Sequence, residues 1–75
     1  MESSAEYAAK YESQARRRLR RAQRVRERAG EVPARLAPLQ VAMARRAAEL
    51  ELSAAALVEI AAGQRRLHDG FTNPV

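Results

Sequence analysis

The chain has 75 residues, 14 Lys and Arg against 9 Asp and Glu, a formal net charge of +5, and neither Cys nor Trp. Hydrophobic residues make up 47% of it, but 17 of them are Ala, so one thin core is the most that it can bury. This excludes a large catalytic scaffold, a disulfide-stapled module and, with a single His, a zinc finger.

Between Ser4 and Ala29 there is neither Pro nor Gly, and good helix formers dominate. Ser3 followed by Glu6 fits a capping box, and Gly30 after Ala29 fits a helix stop, which places a first helix at about residues 4–29. Residues 30–37 form the connection, because Pro33 and Pro38 disfavour helix at Val32 and Ala37. The segment from Pro33 to Ala37 is suited to one short helical turn. Pro38 fits the first turn of a second helix, where its missing N–H costs nothing. That helix is expected over about 38–68, passing through Gly63, with Gly70 as its stop and residues 70–75 as an extended tail. The whole chain, 1–75, then reads as a single all-α domain, an antiparallel two-helix hairpin of coiled-coil type.

The first helix carries a narrow stripe of Tyr7, Tyr11, Ala15, Leu19, Ala22, Val25 and Ala29. The second carries a heptad-like row of Leu36, Leu39, Met43, Ala47, Leu50, Ala54, Leu57 and Ala61. Tyr7 and Tyr11 are expected opposite Leu57 and Ile60, as core rather than as a stacking platform for bases, with Phe71 over the same open end. The second helix has more apolar surface than one partner covers: Val41, Leu52 and Ala55 lie roughly opposite Leu50, while Val58 and Ile60 point to two further sides. A helix apolar all round is buried on more than one side. The hairpin is therefore expected to be completed by homo-oligomerisation or by docking on a larger complex, through Leu50, Leu52, Leu57, Val58 and Ile60.

Thirteen of the fourteen basic residues are Arg, Lys10 being the exception, and eight fall between Arg16 and Arg28 with Glu27 as the only acid. Arg16, Arg17, Arg20, Arg21, Arg24 and Arg28 share the face opposite the apolar stripe; Arg18 and Arg26 flank the stripe and need a partner or room to snorkel. The like-charge pairs 16–20, 17–20, 17–21, 18–21, 20–24, 21–24 and 24–28 cost the helix about 1.5–3.5 kcal/mol at low salt, at roughly 0.2–0.5 kcal/mol each. A hairpin turning near residue 33 or 34 places Arg45 and Arg46 roughly opposite Arg21 and Ala22. Glu49 and Glu51 fall opposite residues 16–18, where internal pairing is expected.

The guanidinium fork suits phosphate. Arg16, Arg17, Arg20, Arg21, Arg24, Arg28, Arg45 and Arg46 are thus the expected polyanion-binding set. Gln23 is the only amide among them, which favours phosphate contact without strong sequence preference over base reading. A basic helix beside a heptad row invites comparison with bZIP proteins. Gly30, Pro33 and Pro38 break the chain where that family runs continuously, so the comparison fails.

Other chemistry is sparse. His68 and Asp69 are adjacent and so point about 100° apart on a helix, which does not make an acid–base pair. The better reading of His68 is a cation or donor at a helix C-terminus. Ser53 has no His at helical spacing, and no phosphate loop, dinucleotide fingerprint or metal-ligand cluster occurs. No enzymatic activity, cofactor, metal or small-molecule substrate is expected. The longest mostly apolar run, Leu52 to Ala62, is interrupted by Ser53 and Glu59, so no membrane span is expected. The N-terminus lacks the basic start and apolar core of a signal peptide. A cytoplasmic location, or one inside an intracellular or viral assembly, follows as the expectation. The leading functional reading is a non-enzymatic assembly protein whose first helix contacts a polyanion, foremost nucleic acid. The alternative is a structural subunit or adaptor of a larger assembly, such as a phage particle, with its arginines against acidic protein surfaces.

Overall fold

The computed structural model describes residues 3–72, and side chains from 3 to 70. Helix α1 spans Ser4–Glu31, a single 3-10 turn spans Ala34–Leu36, and helix α2 spans Ala37–Thr72. The two helices pack antiparallel into a rod of 61 × 17 × 15 Å. The N-terminus of α1 is the capping box read from the sequence: the Glu6 amide donates to Ser3 Oγ and the Ser3 amide to Glu6 Oε2, both at 3.2 Å.

The ends of the helices differ from the sequence expectation. Gly30 does not stop α1, and no glycine among the described residues has positive φ. The helix runs to Glu31 and ends at Val32, which is extended at φ −70, ψ 128. Pro33 is the physical reason, since its ring bars the helical conformation from the residue before it. The connection is correspondingly shorter than 30–37. Gly70 does not stop α2 either: residues 70–72 are helical rather than an extended tail, and 73–75 lie outside the described residues. As expected, Pro38 sits in the first turn of α2 and Gly63 lies within the helix.

Alanine makes the seam between the helices. Ala8, Ala15, Ala22 and Ala29, spaced by seven, are buried on α1; Ala47, Leu50, Ala54, Leu57 and Ala61 are buried on α2. Ala22 packs with Ala47 and Leu50, and Ala15 with Ala54 and Leu57, so one alanine heptad faces another. A methyl side chain lets two helices approach closely, and Leu50 and Leu57 fill the gaps between the methyls. The same register sets Ala29 against Gln40, whose Nε2 donates to the Ala29 carbonyl at 3.0 Å. That carbonyl also accepts from the Val32 amide at 3.2 Å, so the change from Ala to Gln in the α2 heptad adds a second bond at the loop end of the seam.

The expected stripes are therefore corrected at several positions. On α1, Ala8 takes the core place; Tyr7 and Leu19 are 41% and 46% exposed, while Tyr11 packs against the cluster that contains Leu57. Leu36, in the 3-10 turn, and Leu39, in the first turn of α2, are exposed, because the row enters the seam only after the tight loop has been cleared. The expected cover by Phe71 lies outside the described side chains.

Candidate polyanion interface

The buried heptad of α1 fixes the direction of every other side chain on that helix. At 100° per residue, Arg16, Arg20 and Arg24, with Arg17, Arg21 and Arg28, occupy an arc centred opposite Ala15 and Ala22. All six are exposed; Arg17, Arg20, Arg21, Arg24 and Arg28 are directed away from α2, while Arg16 borders a groove shared with Val58, Ala62 and Arg65 of α2. They occupy about 18 Å of helix at 1.5 Å per residue.

Three carboxylates pair away from this face, and Glu27, which lies on it, accepts from Gln23 Nε2 at 3.5 Å and pairs with no arginine. Arg26 Nε meets Glu51 Oε1 at 2.5 Å, and Arg65 Nη2 meets Glu12 Oε1 at 2.5 Å, two crossings between the helices on one side of the seam. Arg46 pairs with Glu49 of its own helix at 3.4 Å. The hydrogen bond from Arg26 holds the Glu51 carboxyl below its usual value and raises the Arg26 guanidinium; the charge of each group acts the same way on the other, and desolvation opposes both shifts. Arg18 donates to Ser53 Oγ on the opposite side of the seam. The two arginines expected to need partners thus have them. The acids differ from expectation: Glu51 meets Arg26 and Glu49 meets Arg46, rather than residues 16–18, because the alanine register carries Glu51 to the other flank.

Within the face itself, Arg17 makes one long contact, Nη2 to Ser13 Oγ at 3.4 Å. Arg16, Arg20, Arg21, Arg24 and Arg28 make no ion pair or hydrogen bond with any described residue. Arg45 and Arg46 do not extend this face. Arg45 lies two residues from the buried Ala47, about 200° round α2, and so points away from α1. Arg46 is held to the side by Glu49.

The expected association residues also divide. Leu50 and Leu57 are buried against α1, at 7% and 9% exposure, and take no part in an outer surface. Leu52, Val58 and Ile60 are exposed, on three different sides. Glu12 and Gln40 have definite roles that the sequence reading passed over; seven-residue spacing from Leu19 and Ala47 was the available signal for both. Among the described residues no group of three His, Asp or Glu side chains gathers to hold a metal, and no helix is long and apolar enough to cross a membrane. No protein-family model matches the chain, and comparison with curated proteins and with solved structures finds no match.

Proposed function

We propose that this protein is a helical-hairpin binding protein whose α1 arginine face holds a polyanion, with nucleic acid as the favoured ligand and no strong preference for sequence. One observation carries the reading. Five guanidinium groups, Arg16, Arg20, Arg21, Arg24 and Arg28, stand together with no carboxylate engaged to them, while the acids of the seam are committed to Arg26 and Arg65. Clustered like charges raise the free energy of the hairpin, and a polyanion is the ligand that relieves it. Duplex DNA offers one phosphate charge per about 1.7 Å of axis, dense enough to meet every arginine along this length of helix.

The test is binding to duplex DNA of mixed sequence across salt concentrations. Five neutralised phosphates give a log–log slope of about −4.5, so affinity falls roughly 500-fold between 50 and 200 mM salt. Reversing Arg20, Arg21 and Arg24 to Glu should abolish binding while the helical circular dichroism persists. A flat salt response, or retention on an acidic protein with none on DNA or heparin, overturns the reading in favour of the structural-subunit alternative.

A further inference from the structure

The seam of the hairpin joins an alanine heptad to an alanine heptad, and α2 carries a second such heptad that α1 does not cover. Val41, Ala48, Ala55 and Ala62 follow one another by seven. Arg45, Leu52, Glu59 and Arg66 follow one another by seven alongside them, four residues on. Together they form a 3–4 repeat down the face of α2 turned away from α1. Val41, Ala48 and Ala55 are exposed, Ala62 is half-buried, and Leu52, at 73%, is the most exposed of the described large hydrophobic side chains.

We infer that this face pairs antiparallel with the same face of a second copy of the chain, about a twofold axis passing between Glu51 and Leu52. Self-complementarity selects that occupant. The antiparallel arrangement sets Ala48 against Ala55 of the other copy and Val41 against Ala62, repeating the packing that joins α1 to α2. It brings the two Leu52 side chains together at the axis. It also brings Arg45 beside Glu59 of the other copy, twice by symmetry. Within one hairpin neither Arg45 nor Glu59 has an ion pair with a described residue. A parallel pairing would instead set Arg45 against Arg45 and Glu59 against Glu59.

The exposed area agrees. The hairpin exposes 5795 Å², whereas a compact monomer of 8.3 kDa exposes about 4,600 Å². The excess of about 1,200 Å² exceeds the roughly 600–1,000 Å² that each partner gives to an interface of standard size. Val58 and Ile60 fall to either side of this face and are not part of it. The pairing leaves both α1 helices on the outer edges of the dimer with their arginine faces outward, and it does not depend on what those faces bind.

Sedimentation equilibrium of the full chain, up to about 100 µM, tests the inference. The wild type should be a dimer. Leu52→Glu should be a monomer with undiminished helical signal, since the side chain is exposed within one hairpin. Arg45→Glu and Glu59→Arg alone should each raise the dissociation constant tenfold or more, by setting like charges together at two places. The double variant Arg45→Glu/Glu59→Arg should restore the dimer, which separates a pairing defect from a folding defect. A wild-type monomer at the highest concentration overturns the inference. So does a dimer indifferent to Leu52→Glu, or a double variant no tighter than the single ones.

Discussion

Leu57→Ala tests the seam directly, with Leu39→Ala as its counterpart. Spacing places both leucines on one row of α2, but Leu57 is 9% exposed and packs with Ala15, Ala54 and Tyr11, while Leu39 is 50% exposed. Truncating Leu57 removes three buried carbons, about 2.4 kcal/mol at roughly 0.8 kcal/mol per methylene. A cavity term adds to this, and buried Leu→Ala changes span about 2–5 kcal/mol. A two-helix seam is open at its sides and can collapse towards the gap, so the loss should fall near the low end, about 2–3 kcal/mol. For a domain of this size that lowers the thermal midpoint by about 10–20 °C. Leu39→Ala leaves no enclosed cavity and should cost about 1 kcal/mol or less. The assay is thermal unfolding followed by helical circular dichroism, with both variants and the wild type at one protein concentration. Equal losses for the two variants, or an unchanged midpoint for Leu57→Ala, would refute the register of α1 on α2.

Two further substitutions read the loop end and the crossing ion pair. Gly30→Ala should stabilise the hairpin by about 0.5–1 kcal/mol, because Gly30 is helical with negative φ and a Cβ there meets nothing within 4 Å; a loss of stability would show a left-handed cap instead. Glu51 has its folded pKa lowered by Arg26 from the usual 4.5, so the pair contributes above that value and its contribution is lost as the pH falls through the lowered one. The midpoint gap between wild type and Glu51→Gln should be present at neutral pH, small because both side chains are about half exposed, and should close in acid. A gap that persists at about pH 2 would show that Glu51 acts through packing and not through charge.

The local features of this protein were legible in its sequence because they depend on neighbours a few residues apart. Ser3 and Glu6 make the cap, Pro33 and Pro38 bound the turn, and the run without Pro or Gly makes α1. The clustering of Arg16, Arg20, Arg21, Arg24 and Arg28 on one arc follows from helical spacing alone. Spacing also picked out the part of α2 that meets α1, Ala47, Leu50, Ala54, Leu57 and Ala61, although that helix carries apolar or small residues around most of its circumference. What spacing left open was the register of α1 along that row. Tertiary packing set Ala22 against Ala47 and Ala15 against Ala54, with Leu50 and Leu57 filling the gaps between methyl groups. That register put Gln40 rather than Leu39 beside Ala29 and gave Glu51 to Arg26. Where α1 stops was local again, set by Pro33 acting on Val32 rather than by Gly30; only the bond from Gln40 back to the Ala29 carbonyl, eleven residues away in sequence, needed the fold to bring its partners together.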